Sequence, residues 1–536
     1  MTGLILDGCR ATPLGGYLAS LGLLRAVSRL VDSDATGWWE RGRFVLDCRC
    51  ATVDELVAEL GARFEPEAIV SPWSEGAGLV AKGSNRTAAD AVDSVRRSSD
   101  PRLGSLRAAV RAGDRVIAIG LERGWGGQGS DLWDKTRKRD VLALCRREFP
   151  DVALAWLDAA ATLGQDDNPA YSRLLGTGGN FGRQDLSATY LARVDTVFRD
   201  GRSPDWLRSL VTGDESVPYL RDTVGQFDPG RAGGIQSSPW EKADDSGFVN
   251  PWAFVLTLEG TLLFASAVVR RHGADHSRVA LPFQVNGSTA GYGSAAPGEI
   301  PLGELWAPEW TSPARLDEVT HLLAEGRAEW RSGPARSGLD FARAVATLGV
   351  DRGITAFGRH VFVDRLGQNP LAVPAGRIEV RRRGGVELLG GVDAWIDRLR
   401  HAVLPGGVEA RVRAVEQALF AHARDGGAAA LAEVFAALGR CHEVIARSGS
   451  VRDKVHPLTL RGGVALLREL LPAMQTDREL RLAMALASAR DDRGVPTLDG
   501  VRPCVSAVTA DPLRDRVPRW SPGPAPVSLT AGVSSA

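Results

Sequence analysis

Along the chain, short apolar strands alternate with longer stretches whose apolar residues return every three to four positions. Gly3–Cys9, read GLILDGC, predicts a strand, and Thr12-Pro13 then opens a helix that runs to about Val31. Phe44–Cys50 predicts a second strand, and Thr52-x-x-Glu55 has the form of a capping box in front of a short helix. From Asp100-Pro101 onward helices predominate, over roughly 101–119, 136–148 and 151–163. The longest apolar run is Pro251–Val269: Asn250 is a good N-cap, Pro251 suits the first helical position, and Gly273 closes the run after Arg270 and Arg271. With Glu259 at its centre, this run predicts a core helix and not a membrane span. Ile378–Arg382 predicts a further strand, and helices follow over 392–403, 407–424, 428–447 and 463–489.

These elements predict an α+β fold. A mixed N-terminal and central region with short strands, Gly-rich loops and helices is followed by a mostly helical C-terminal region. The linear divisions are an α+β region over 1–165, a central region over 166–391 with the buried Pro251 helix, a helical region over 392–511, and a disordered tail over 512–536, rich in Pro, Ser and Val.

Composition changes this picture in two ways. Lys and Arg number 65 and so do Asp and Glu, so no overall field draws a polyanion and any such contact must come from local patches. The cations are almost all arginine, the only lysines being Lys82, Lys135, Lys138, Lys242 and Lys454, and guanidinium forks onto phosphate in a way that ammonium does not. The six cysteines form no C-x-x-C pair, and Asp7 interrupts the first apolar run, so free thiols in a cytoplasmic protein are expected, without a zinc ribbon or a signal peptide.

Several chemistries are missing. There is no Gly-Lys dipeptide, hence no P-loop, and no His-Asp dipeptide, H-E-x-x-H or G-x-S-x-G. His272 and His276 have the spacing of one helical face, but Gly273 between them marks a helix end and favours surface histidines over a metal pair. Cys441 and His442 are adjacent in a helical pattern and point apart. Glu259, within an apolar helix, must pair, neutralise or face a polar cavity. An arginine partner from a neighbouring element is one reading and a general acid/base is the other. No catalytic residue, metal or cofactor is assigned.

The candidate contacts lie where glycine meets basic or amide side chains. Gly176–Asp185, GTGGNFGRQD, packs four glycines around Asn180, Phe181 and Arg183, and a helix follows it. Exposed N–H groups of such a turn, backed by a helix N-terminus, form a concave anion site. Gly225–Pro239, GQFDPGRAGGIQSSP, has the same character and contributes Gln226, Arg231 and Gln236. Trp133–Asp140 concentrates Lys135, Arg137, Lys138 and Arg139 after the flexible GWGGQGS, a combination that suits a loop gripping a nucleic-acid backbone. Lys82, Asn85 and Arg86 lie in a similar polar loop after Pro72-Trp73. Tight structural packing, a solvated helix start and a site for a phosphorylated small molecule are the competing explanations of these loops.

Eight phrases in order resemble a known family. They are LDGCRATPLGGYLASLGLLRAV (6–27), SPW (71–73), LLGTGGNFGRQDLS (174–187), GQFDPGRAGG (225–234), VNPWAFVLTLEGTLLFA (249–265), GYGS (291–294), GELW (303–306) and GLDFARAVATLGVDRGITAFGRHVF (338–362). Together they are similar to the large-subunit family of type I-G (earlier I-U) CRISPR effector complexes, the Csx-seventeen or Cas-eight-g proteins, over about residues 4–380. Members of that family continue into a longer C-terminal helical domain, part of which this chain is expected to lack. The resemblance implies a non-catalytic subunit of an RNA-guided surveillance complex that checks the motif adjacent to the protospacer and stabilises the opened DNA in antiviral defence. Its implied partners are the backbone subunit, the crRNA-processing or end-binding subunit, the crRNA, the target double-stranded DNA and a recruited helicase-nuclease, with no membrane. A purely architectural subunit of the same complex, and an enzyme acting at the Gly176–Asp185 loop, are the alternatives.

Overall fold

A computed structural model of the chain describes residues 3–80, 86–125, 132–163, 169–172, 174–176, 180–181, 184–223, 225–230, 246–265, 267–269, 278–280, 282–288, 290–291, 302–331, 333–365, 368–402, 404–458, 460, 463–488, 508–509 and 519–520. The fold is mixed α+β, with small antiparallel sheets in the N-terminal and central parts and a largely helical C-terminal part. Two compact units divide the chain, and both are discontinuous. The first takes 1–287, 296–327 and 351–379; the second takes 288–295, 328–350 and 380–536. The linear division at 165/166 therefore falls inside the first unit.

The first unit carries helices α1 (Leu14–Leu30), α2 (Val53–Arg63), α3 (Arg86–Arg97), α4 (Gly104–Glu122), α5 (Lys138–Glu148), α6 (Asp151–Ala160), α7 (Leu186–Arg199), α8 (Ser203–Thr212), α9 (Pro251–Thr261) and α10 (Leu316–Glu325). The sequence signals at the starts of α2 and α9 hold. Thr52 Oγ1 accepts from the Glu55 N–H at 3.2 Å, and the Glu55 carboxylate reaches back to the Ala51 N–H at 2.7 Å. Asn250 Oδ1 accepts from the Trp252 and Ala253 N–H groups, with Pro251 opening α9.

Every residue of α9 except Ala253 is buried, as befits a helix apolar on all sides. It is shorter than the Pro251–Val269 run predicts. The helix gives way to a 3₁₀ turn at Leu262–Phe264, and Ala267–Val269 pairs antiparallel with Arg278–Ala280. The β-branched valines are better used in that pairing than in a helix.

Helix α1 lies against α9 at backbone contact. A Cβ on Gly22 would fall 1.9 Å from the Leu256 carbonyl oxygen, and one on Gly260 2.0 Å from that of Leu18. At the start of α1, the Gly15 N–H donates to the Phe227 carbonyl at 2.8 Å, and Thr257 Oγ1 donates to the Gly15 carbonyl at 3.0 Å.

Two four-stranded antiparallel sheets both meet α1. One orders Leu4–Arg10, Arg43–Asp47, Thr36–Glu40 and Ala314–Arg315; the other orders Gln284–Val285, Gly303–Trp310, Ile354–Arg365 and Gln368–Glu379. All eight residues of Gly303–Trp310 are buried, including Glu304 and Glu309. Pro308, with no N–H to give, sits past the end of the two-residue 284–285 strand, and its carbonyl accepts the Tyr17 hydroxyl at 2.9 Å. The Tyr17 ring stacks on Trp39 at 5.1 Å between centroids.

The second unit carries α11 (Gly338–Ala346), α12 (Gly390–Arg400), α13 (Gly406–Asp425), α14 (Gly427–Ala446), α15 (Gly449–Arg452), α16 (Gly463–Leu470) and α17 (Arg478–Ser488). The helix expected over 463–489 is broken at Pro472, where a 3₁₀ turn intervenes. Within the tail expected to be disordered, Arg519–Trp520 pairs with Val508–Thr509. Trp520 donates to the Val455 carbonyl at 2.6 Å, and its ring lies 4.6 Å from that of His442. An indole with both an aromatic neighbour and an acceptor is worth ordering, which the Pro/Ser composition conceals.

The α1–α9 contact yields a measurable contrast. Gly22→Ala should destabilise the protein by about 1–3 kcal/mol or more, because the methyl has only backbone to displace. Gly61→Ala, in α2 with open space around the added Cβ, should instead stabilise it by about 0.5–1 kcal/mol. Chemical denaturation of both variants checks the pair.

Candidate nucleic-acid interface

The Gly176–Asp185 segment ends in a hairpin, Asn180–Phe181 paired antiparallel with Gln184–Asp185, and α7 begins at once. The helix N-terminus expected behind the loop is there, but the protein caps it itself. Asp185 is buried, and its Oδ1 accepts from the Ala188 N–H at 2.9 Å and the Ser187 hydroxyl at 2.7 Å. A carboxylate thus already occupies the position an outside anion would take. Burial pushes this carboxyl above its ordinary range, with the Ser74 hydroxyl and the capping donors pulling it back. Asn180 stands on the first hairpin strand; Arg183 lies outside the described residues.

The second glycine-rich segment is not a surface loop at its start. Gln226 is fully buried, and its carbonyl accepts from the Ala372 N–H at 2.8 Å while that of Phe227 accepts from Gly15. This corrects the reading of Gln226 as a reader of base edges: the glycine beside it lets the chain pack against α1 and the 368–379 strand. Beside it a cavity of about 440 Å³ opens between the first turns of α1 and α9. Its lining sets the carboxylates of Asp7, Glu215 and Asp228 against one guanidinium, Arg10, a balance that opposes phosphate. Arg231 and Gln236 lie outside the described residues, as do Lys82 and Asn85.

The 133–140 cluster divides in two. Lys138, at the start of α5, is half-buried and donates from Nζ to the Trp73 carbonyl at 2.9 Å; burial lowers its pKa, with Asp185 opposing. Trp133 Nε1 donates to the Pro72 carbonyl and Trp156 Nε1 to the Ser71 hydroxyl, each at 3.1 Å. The Ser71-Pro72-Trp73 phrase is therefore gripped at each residue, and Lys138 is one of the grips. Trp125 is buried with Arg123 and Arg137 over its ring at 5.3 and 5.8 Å, so it is not free to stack on a base. Arg137 retains partial exposure, 3.9 Å from Asp140, and Arg139 and Arg86 are exposed. Lys135 stands in the 3₁₀ turn before α5.

The described candidates that keep an exposed charge, Arg86, Arg137 and Arg139, all belong to the α3–α5 stretch. Residues 86–148 carry fourteen Lys and Arg against nine Asp and Glu, a local excess of five in a chain that is neutral as a whole. Reading by dense basic runs passes over Arg107, Arg111 and Arg115 of α4, whose four-residue spacing is nonetheless legible.

Glu259 answers the question its position raises. It is fully buried, and its Oε1 accepts from the Tyr190 hydroxyl at 2.8 Å and the Glu67 N–H at 3.1 Å. No arginine holds it: Arg25 and Arg29, the nearby cations, hold the Glu67 carboxylate instead. Burial, then the neighbouring Glu67 charge, pushes the Glu259 pKa from 4.5 up to about 8 against the pull of Tyr190, the Glu67 N–H and Arg29. Glu259 is thus a neutral, hydrogen-bonded core acid at neutral pH.

Two outcomes follow. The folded protein keeps the Glu259 proton where the unfolded chain has lost it, so this group makes stability decline as pH rises from about 4.5 to about 8. Glu259→Gln should remove that slope, its thermal midpoint gaining on the wild type between the two ends of the interval. Lys138→Met should lower stability by about 1–3 kcal/mol, through the lost bond to the Trp73 carbonyl, and leave the salt dependence of nucleic-acid binding unchanged. Denaturation and a salt titration check both halves. No protein-family model and no curated protein matches this chain.

Proposed function

We propose that the chain is the non-catalytic large subunit of a type I-G CRISPR surveillance complex, contacting target DNA beside the protospacer and stabilising the opened strands. Pairing with the guide would read the remaining sequence. What carries the reading is the role of four of the phrases behind the resemblance and the end of a fifth, which lie far apart in sequence and hold one another within the first unit. The first phrase crosses the VNPWAF phrase through Gly22 and Gly260, and its Gly15 N–H is bound by Phe227 of GQFDPGRAGG. In GELW, Glu304 grips Arg359 of the last phrase through two hydrogen bonds of 2.7 and 2.9 Å, both side chains buried. Residues that maintain a shared scaffold suit a structural, nucleic-acid-holding subunit better than a shared reaction.

The local cation excess over 86–148 supports contact with nucleic acid. The partners are then the backbone subunit, the crRNA-processing or end-binding subunit, the crRNA, the target duplex and a recruited helicase-nuclease, in the cytoplasm. Among the described residues no helix is long and apolar enough to cross a membrane. A purely architectural role has one specific observation in its favour: Lys138 is bonded within the fold and Gln226 is buried in it.

The chain should co-purify with RNA-containing protein partners encoded beside it, and a photoreactive target duplex should label peptides within 86–148 of the assembled complex. An intact complex with no labelled peptide leaves the architectural role. A preparation free of RNA overturns both readings.

A further inference from the structure

Helix α4 carries arginines at four-residue intervals, Arg107, Arg111 and Arg115. That interval keeps side chains on one stripe, and the stripe lies opposite the buried Leu106, Ala109, Val110, Gly113 and Val116. Glu122 follows at its far end. Like charges at this spacing weaken a helix, so the array works against the element that bears it.

Most of the nearby carboxylates hold arginines off the stripe. Asp93 and Asp114 both hold Arg96, at 2.6 and 2.5 Å, and Asp100 holds Arg102 at 2.7 Å. Glu148 is shared between Arg147 at 3.0 Å and Arg115 at 3.7 Å, one negative charge for two positive ones. Arg107 donates to the Asp100 carbonyl at 2.6 Å, and shares the Asp100 carboxylate's field with Arg102, which holds that group directly. Arg111 is exposed and meets no carboxylate among the described residues.

We infer that this stripe is a track for the sugar–phosphate backbone of a nucleic acid, with Arg107, Arg111 and Arg115 on successive phosphates. Neighbouring arginines rise about 6 Å along the helix axis, a step similar to that between phosphates of an extended strand. Each guanidinium can fork onto two phosphate oxygens. The inference deepens the proposed function and rests on it only for which nucleic acid arrives there.

Arg111 is the residue to change, since no described contact of the fold is lost with it. Binding of the purified chain to fluorescein-labelled duplex DNA is measured over roughly 50–200 mM salt, where each phosphate contact contributes about 0.9 to the logarithmic slope. Arg111→Ala should reduce the slope by about 0.9, Arg107→Ala/Arg111→Ala/Arg115→Ala by up to three such steps, and Arg111→Lys by little. Equal slopes for wild type and the triple variant overturn the track. Binding of polyglutamate as tight as that of the duplex overturns it also, in favour of an acidic protein partner. Failure to co-purify with RNA-bound partners, with the slopes still falling in the variants, defeats the complex and leaves the track standing.

Discussion

The first unit depends on how closely α1 and α9 approach. Two glycines, Gly22 and Gly260, let each helix rest on the carbonyls of the other, where any side chain would collide with main chain. That closeness has consequences at both ends of the crossing. At the N-terminal end of α1 it brings the first turn to the carbonyl of Phe227 and to Thr257. Further along, it commits α9 to complete burial and so places Glu259 beyond the reach of water. Interiors packed to near-crystalline density leave no room to adjust such a contact.

Burial on this scale forces the carboxylates of the core into one of two states. Glu304 is held in partnership: Arg359 grips both its oxygens, and Trp306 Nε1 adds a third donor at 3.0 Å. Glu259 has a hydroxyl and one N–H but no cation in contact, so it keeps its proton. The difference lies in the donor set, since both groups are fully enclosed. A lone carboxylate in low dielectric is far costlier than a neutral acid, whereas a forked guanidinium offsets that cost.

The glycine-rich segments show how far a local sequence signal reaches. Glycine announces that something approaches the backbone closely, but not whether that thing is a ligand or the protein's own chain. At Gln226 the neighbour is the 368–379 strand and at Asp185 it is the first turn of α7, so both segments serve packing where they are described. The basic cluster was equally ambiguous. Lys138 stands directly between Arg137 and Arg139, yet it points to the Trp73 carbonyl while they keep their exposure. Charge density along a chain carries no information about which face of a helix is wet.

Local chemistry alone determined where the helices begin. Thr52, Asn250 and Pro251 act within a turn or two of themselves, and the 3.6-residue periodicity of the C-terminal stretch needs no distant partner. The mixed α+β character and the helical C-terminal part were legible for that reason. Tertiary structure alone decided what depends on residues far apart. The Gly303–Trp310 strand carries two glutamates and a proline, and it is a strand because Ile354–Arg365 pairs along its length and Arg359 neutralises Glu304. The same holds for the two discontinuous units, for the partner of Glu259 and for the exposed face of α4. Each is settled by contacts that come into existence only when the chain has closed on itself.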